Sequence, residues 1–220
     1  MTKRNNKTAL LIGAGELDND MAAIIKQNLR EDVMVIALDG GLAFCAEHSI
    51  VPDRIVGDFD SLPFEKQELL KSYPQERIQR LPCEKDDTDT LAAIRMAVEM
   101  GYGEFVIYGG LGGRFSHTIA NIQSLMFLKE QGLYGELVGK NSRIFLIKEE
   151  SVVLPAKDKG YVSVFAYGEK TEGVTIKNLK YEVEDVELTN TFPIGVSNEF
   201  IGKEAEISVN KGTLLVVVEQ

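Results

Sequence analysis

The sequence predicts an α/β fold, with a parallel-sheet domain over residues 1–140 and an antiparallel β-sandwich or barrel over residues 141–220. In the first part, short apolar runs alternate with helix-like segments, which is typical of a parallel sheet with helices on both faces. Helical periodicity then ends near residue 135. In addition, four loops of unusual composition follow predicted strands, where ligands bind in parallel sheets.

Apolar, β-branched runs mark the strands of the first domain. The run from Val33 to Leu38 is apolar on both faces, as a buried parallel strand requires. The predicted strands cover residues 8–12, 33–38, 54–57, 77–81 and 105–108. The predicted helices cover residues 20–29, residues 42–48, a segment opened by Pro63, a segment after residue 90 and a segment ending near residue 132.

The second domain is predicted from short strand-like runs separated by turn residues. These runs cover residues 152–154, 161–166, 174–176, 183–188, 205–209 and 214–218. Turn residues lie between them, at 169–173 and at 210–212. Such a pattern indicates a small antiparallel sandwich or barrel.

The composition excludes several classes of function. The formal net charge is −10 and there is no cluster of lysine and arginine, so binding to a nucleic-acid backbone is not expected. No apolar stretch approaches membrane-spanning length. The N-terminal Lys3, Arg4 and Lys7 resemble a signal peptide weakly, but Gly13 and Glu16 interrupt the apolar run that follows. A first β-strand and a cytoplasmic location are expected instead.

The cysteines and histidines do not form a recognisable framework. Cys45 and Cys83 have no C-x-x-C spacing, and both are predicted to be buried free thiols. His48 and His117 cannot build a zinc site by themselves.

Asp58 and Asp60 flank Phe59 directly after an apolar run and Gly57. In an extended segment, residues i and i+2 point to the same side, so the two carboxylates would share one face. A divalent cation such as Mg²⁺ would offset their repulsion. A strand-ending turn, in which both aspartates bond backbone amides, is the alternative that this stretch alone leaves open.

A second acidic segment, Lys85-Asp86-Asp87-Thr88-Asp89-Thr90, leads into a predicted helix. Either Asp87 or Thr88 is expected to cap that helix, since acidic and hydroxyl residues favour this position. Asp89 lies inside the first turn and is a candidate third metal carboxylate. Lys85 is a candidate contact to a phosphate.

The third unusual loop is rich in glycine. Gly109-Gly110-Leu111-Gly112-Gly113 lets the backbone approach a ligand closely, and Arg114 adds a planar fork that suits phosphate oxygens. There is no Walker loop, and the turn at Gly13 lacks the third glycine of a dinucleotide fingerprint. With Asp39-Gly40-Gly41, four loops are therefore expected to meet at one edge of the sheet.

Together these motifs resemble the thiamine pyrophosphokinase family, in the right order over nearly the whole chain. The motifs are Asp39-Gly40-Gly41, Pro52-Asp53 with Gly57-Asp58-Phe59-Asp60-Ser61, Asp86-x-Thr88-Asp89, Gly109-Gly110-x-Gly112-Gly113-Arg114 and Ser197-Asn198-Glu199-Phe200. The resemblance implies transfer of a diphosphoryl group from ATP to the hydroxyl of thiamine. It implies an ATP-binding catalytic first domain, a thiamine-binding second domain and a homodimer.

Carried over by position, the resemblance implies the following roles. Asp58, Asp60 and Asp89 would bind Mg²⁺, and Arg114 would stabilise charge on the phosphates. The residues expected to bind the nucleotide, all in the loops that follow the strands or at the start of the next helix, are Asp39, Gly40, Gly41, Lys85, Asp86, Thr88, Gly112, Gly113 and His117. Ser197 and Asn198 would lie on the thiamine side.

Two departures from the family pattern stand out. Family members often have an acidic residue where this chain has Ser116, and some stack thiamine on a tryptophan, which this chain lacks. A phenylalanine or a tyrosine would have to replace it. Two alternatives remain: a diphosphokinase for another hydroxymethyl heterocycle, and a non-catalytic sensor of nucleotide or thiamine diphosphate.

Overall fold

The computed structural model describes residues 7–59, 64–82 and 87–220. Contacts between residues divide the chain into two units, Met1–Lys140 and Asn141–Gln220. The first unit is built on a parallel sheet and the second on two antiparallel sheets. The predicted α/β class is confirmed.

Six parallel strands form the sheet of the first unit, in the order β6-β5-β1-β2-β3-β4. The strands are β1 (Thr8–Ile12), β2 (Val33–Leu38), β3 (Arg54–Gly57), β4 (Ile78–Arg80), β5 (Glu104–Tyr108) and β6 (Tyr134–Val138). All residues of β2 are buried, which matches the unbroken apolar run in its sequence. In register, Leu11 of β1 lies beside Ile36 of β2 and Ile107 of β5.

Five α-helices and one short 3₁₀ helix (Gln75–Arg77) are described in this unit. The α-helices are α1 (Asn19–Asn28), α2 (Gly41–Glu47), α3 (Phe64–Lys71), α4 (Asp89–Glu99) and α5 (Phe115–Glu130). Met21 and Ile25 of α1 share a buried core with Leu10 and Val35 of the sheet, and Cys45 of α2 joins it. Burial raises the pKa of the Cys45 thiol to about 12, so it is an inert core residue as predicted. Cys83 lies outside the described residues.

The second unit folds into two four-stranded antiparallel sheets, with strand orders β12-β9-β14-β7 and β11-β10-β13-β8. The strands are β7 (Ser142–Lys148), β8 (Ser151–Leu154), β9 (Tyr161–Ala166), β10 (Lys170–Lys177), β11 (Val183–Thr189), β12 (Asn198–Glu199), β13 (Ala205–Ser208) and β14 (Thr213–Glu219). Residues 141–220, all of them described, contain no helix.

Among the described helices, none combines the length and the apolar character that crossing a membrane requires.

Candidate active site

Parallel strands end at the same edge of a sheet, so the loops that follow them gather there. In the first unit these loops line one cavity of about 510 Å³. The predicted site residues that line it are Asp39, Asp58, Thr88, Asp89, Gly112, Gly113, Arg114 and His117. Lining residues that the sequence interpretation left out of its site are Gly13, Ala14, Gly15, Leu38, Thr90, Gly109, Gly110 and Asn121.

Two of the loops are held together by their backbones. The amide of Gly15 donates to the carbonyl of Gly109 (2.9 Å), and the amide of Glu16 donates to the carbonyl of Leu111 (2.9 Å). A Cβ at Gly15 would stand only 2.2 Å from the Leu111 oxygen, which no side chain tolerates. The turn after β1 is therefore a structural support of the glycine-rich loop.

Asp39 and Asp58 are positioned by neighbouring strand ends. The amide of Asp39 donates to the carbonyl of Val56 (2.9 Å), which ties the end of β2 to β3. Both aspartates are half-buried and line the cavity. The parallel pairing of β2 and β3 thus brings Asp39 and Asp58 to the same cavity, although they are distant in sequence.

Phe59, the residue between the two predicted metal carboxylates, has φ +65°, in the left-handed region. The segment is therefore not the extended one from which a shared face for Asp58 and Asp60 was predicted. Asp60 itself lies outside the described residues. The Phe59 ring is buried in the core and lies 5.2 Å from the Arg80 guanidinium. The buried ring thus anchors a conformation that L-residues seldom adopt.

This anchoring predicts an unusual order of stability at position 59. Phe59→Ala should lower the free energy of unfolding by about 3–5 kcal/mol, because a buried aromatic ring is lost. Phe59→Gly should be about 1 kcal/mol more stable than Phe59→Ala, because only glycine adopts a positive φ without strain. Urea unfolding of both variants measures the difference. An alanine variant more stable than the glycine variant would contradict a strained Phe59.

Thr88 is the residue that caps α4, which settles the choice that the sequence left open. Its Oγ1 accepts a hydrogen bond from the amide of Leu91 (3.2 Å). Asp87 instead forms an ion pair with Arg95 (3.2 Å). Asp89, in the first turn, lines the cavity together with Thr88. Lys85 and Asp86 lie outside the described residues.

Arg114, His117 and Asn121 line the cavity from the start of α5. Arg114 is the N-cap residue, and its carbonyl accepts a hydrogen bond from the amide of His117 (2.9 Å). Within residues 7–59, 64–82 and 87–220, no carboxylate forms an ion pair with the exposed Arg114. An anion in the cavity would therefore meet an arginine that is not already neutralised. Asn121 was missed, although the spacing 114, 117, 121 places it on the same helical face.

Gly40 and Gly41 form the start of α2 and are not lining residues of the cavity. A Cβ at Gly41 would stand 2.0 Å from the carbonyl oxygen of Ile12. The close approach of α2 to β1 therefore explains why a glycine stands at position 41.

Ser197 and Asn198 belong to the second unit. The Asn198 side chain is buried and bonds the backbone of Tyr181 twice, accepting from its amide (2.9 Å) and donating to its carbonyl (2.6 Å). It also accepts from the amide of Glu199 (2.9 Å). Ser197 has φ +58°, and its amide donates to Ser163 Oγ (3.0 Å). Asn198 thus holds an internal loop in place, next to the exposed Tyr181 ring.

The described residues include no group of three or more histidine, cysteine or acidic side chains arranged to hold a metal ion. Asp58 and Asp89 line one cavity, and the third predicted ligand, Asp60, lies outside those residues.

A parallel sheet with three carboxylates (Asp39, Asp58 and Asp89) and an arginine around one cavity at its carboxyl edge is typical of α/β enzymes with a small-molecule site there. Two sequence profiles match the chain: "Thiamin pyrophosphokinase, catalytic domain" over residues 25–134 and "Thiamin pyrophosphokinase, vitamin B1 binding domain" over residues 148–214. The chain belongs to the thiamin pyrophosphokinase family and is an enzyme of the kinase type.

Individual relatives agree with this assignment. A thiamine pyrophosphokinase of Bacillus subtilis (strain 168) is 28% identical over 189 residues, which cover 85% of this chain and 87% of that protein. The crystal structure of a thiamin pyrophosphokinase from Geobacillus thermodenitrificans has a TM-score of 0.84 at 25% identity, covering 97% of each chain. The yeast enzyme shares the fold, with a TM-score of 0.79 at 17% identity over 99% of this chain and 87% of that one.

Proposed function

We propose that this enzyme transfers the terminal diphosphoryl group of ATP to the hydroxyl of thiamine, giving thiamine diphosphate and AMP in a Mg²⁺-dependent reaction. One observation carries the proposal: Asp58, Asp89 and Arg114 line the same cavity. The family membership supplies the two substrates.

The proposed reaction is a displacement at the β-phosphorus of ATP. The hydroxyl oxygen of thiamine forms a bond to this phosphorus and loses its proton. The bond between the β-phosphorus and the oxygen that bridges to the α-phosphorus breaks, and AMP leaves with that oxygen. Such transfers depend on positioning and charge stabilisation more than on covalent catalysis by the protein.

Asp58 and Asp89 would supply part of a magnesium site, since both line the cavity and Mg²⁺ prefers carboxylate oxygens as ligands. We propose Asp60 as the third ligand. When bound, the ion neutralises charge on the phosphate oxygens. A metal ion held by these carboxylates would let a protein of net charge −10 bind an anionic nucleotide.

Other residues would bind and orient the nucleotide. Arg114, with no carboxylate paired to it among the described residues, would contact the phosphates, and the backbone of the glycine-rich loop would approach them closely. We propose Asp39, Thr88, Gly112, Gly113 and His117 as further contacts. Gly40, Gly41, Lys85 and Asp86 complete the predicted set.

We further propose that residues 1–140 bind ATP and carry out catalysis, and that residues 141–220 bind thiamine through the Ser197 loop. Asn198 would act there by holding that loop, since its amide already makes three hydrogen bonds. The homodimer and the cytoplasmic location stay predictions from the sequence.

The purified protein should convert ATP and thiamine to AMP and thiamine diphosphate in a 1:1 ratio when Mg²⁺ is present. Chromatography of both product pairs measures this, and chelation of the metal with EDTA is the control. ADP with thiamine monophosphate would show transfer of a single phosphoryl group and reject the proposal. Binding of both substrates without turnover would favour the sensor, and a faster reaction with another hydroxymethyl heterocycle would favour the second alternative.

A further inference from the structure

Asn121 is a buried polar residue of the cavity with no role in the phosphate chemistry described above. It lies on α5, the residue is 7% exposed, and it lines the cavity with Gly110 and His117. Asparagine is seldom buried unless its amide is hydrogen-bonded. Both ends of that amide, the NH₂ donor and the oxygen acceptor, therefore need hydrogen-bond partners.

One end of the amide is assigned by its partner. Nδ2 of Asn121 donates to the carbonyl oxygen of Gly110 (2.8 Å). A carbonyl oxygen can only accept, so the NH₂ group, and not Oδ1, must face Gly110. The glycine-rich loop thus fixes the orientation of the side chain.

The other end is an available acceptor. Within the described part of the chain, no donor is hydrogen-bonded to Oδ1 of Asn121. Oδ1 is not among the fully buried side-chain atoms that lack a partner, so it is open to the cavity. It would become an unsatisfied buried acceptor, at a cost on the order of 1–3 kcal/mol, only if a ligand without a donor covered it. Because Asn121 lines the cavity, a bound molecule can supply the missing donor.

We infer that Asn121 accepts a hydrogen bond from the nucleoside part of ATP, through either a ribose hydroxyl or the amino group of adenine. This inference rests on the proposed function. Phosphate oxygens are acceptors themselves and carry almost no protons at neutral pH, so Oδ1 would repel them. The phosphates belong beside Arg114 instead, seven residues earlier and about 10 Å away along the helix axis at 1.5 Å per residue.

Nucleotide analogues that each lack one donor test this assignment. Binding of ATP, 2′-deoxy-ATP, 3′-deoxy-ATP and purine riboside triphosphate is measured calorimetrically with Mg²⁺ and without thiamine. One analogue should bind wild-type protein about 10-fold more weakly than ATP, because it leaves Oδ1 unsatisfied. In Asn121→Leu, ATP and that analogue should bind equally. If purine riboside triphosphate is the analogue that binds more weakly, the adenine amino group is the donor. If a deoxy analogue binds more weakly, the ribose hydroxyl that it lacks is the donor.

The matched control is Gln123→Leu, the same kind of change at an exposed position of α5. It should leave the affinities for ATP and for every analogue unchanged. Thiamine also carries an amino group and a hydroxyl, so it could donate to Oδ1 in place of the nucleoside. If the nucleoside is the donor, the KM for thiamine should be unchanged in Asn121→Leu. A raised KM for thiamine with unaltered ATP binding would overturn the inference.

The wild-type series remains decisive if Asn121→Leu does not fold. If none of the three analogues binds more weakly than ATP, Asn121 does not accept a hydrogen bond from the nucleoside. Formation of AMP and thiamine diphosphate by the same wild-type preparation would then leave the proposed function standing. Loss of the inference and loss of the proposed function are therefore distinguishable.

Discussion

Asp58→Asn is expected to lower kcat by a factor on the order of a thousand, because a neutral amide replaces a carboxylate that we propose as a metal ligand. The fold should be retained, since the two side chains have nearly the same shape. The free energy of unfolding should change by less than about 1 kcal/mol, which is ordinary for a replacement that leaves the core intact. Turnover assays and urea unfolding measure the two quantities.

A nearby carboxylate provides the control for this prediction. Asp87 forms an ion pair with Arg95 and does not line the cavity, although it lies two residues before Asp89. Asp87→Asn should therefore keep near wild-type turnover. An Asp58→Asn enzyme with near wild-type kcat would remove Asp58 from the metal site.

Arg114→Gln is expected to lower kcat/KM by about 100- to 1000-fold, because the positive charge that we propose to contact the phosphates is lost. Arg114→Lys should recover only part of this, since an ammonium group cannot reproduce the bidentate fork of a guanidinium. Steady-state kinetics with ATP as the varied substrate measure both effects. The loss should appear in kcat as well as in KM if Arg114 acts on the transition state.

Arg30→Gln is the matched control, since it removes an exposed arginine whose carboxylate partner, Asp32, lies 3.8 Å away at the surface. Its kcat/KM should equal that of the wild type. Equal values for Arg114→Gln and Arg30→Gln would mean that Arg114 does not contact the substrate during the reaction.

Much of the fold could be predicted because the apolar pattern follows directly from burial. The run from Val33 to Leu38 is apolar throughout, and every residue of it is buried between layers. Three strands were not predicted: β6, β7 and the two-residue β12. Gly135 weakens the pattern of β6, and it is a glycine because a Cβ would stand 2.5 Å from Leu128 Cδ1 of α5. That close helix–strand approach is a tertiary constraint. The strand from Ser142 to Lys148 has a clear apolar run and was overlooked.

The meeting of the site loops was also predictable, because parallel strands fix which ends lie together. Asp39, Asp58 and Arg114 are far apart in sequence, yet they line one cavity because β2, β3 and β5 run in the same direction. It was harder to predict which side chains have a structural role and which contact a ligand. Asn198 has the residue type of a ligand contact, but its partners are backbone groups of its own unit.

The features that escaped prediction depend on contacts between distant segments. The left-handed conformation of Phe59 is stabilised by burial of its ring and by the guanidinium of Arg80 on the neighbouring strand. Asn121 is a cavity residue because α5 passes the glycine-rich loop closely enough for a 2.8 Å hydrogen bond to Gly110. The spacing 114, 117, 121 indicated the helical face of Asn121, but neither contact itself has a signature in the local sequence.

A crystal structure with Mg²⁺ and a non-hydrolysable ATP analogue tests the central claim most directly. The triphosphate should lie in the cavity at the carboxyl edge of the parallel sheet, against Arg114, with the ion bound by Asp58 and Asp89. A nucleotide bound elsewhere, or an ion that neither aspartate contacts, would contradict the account.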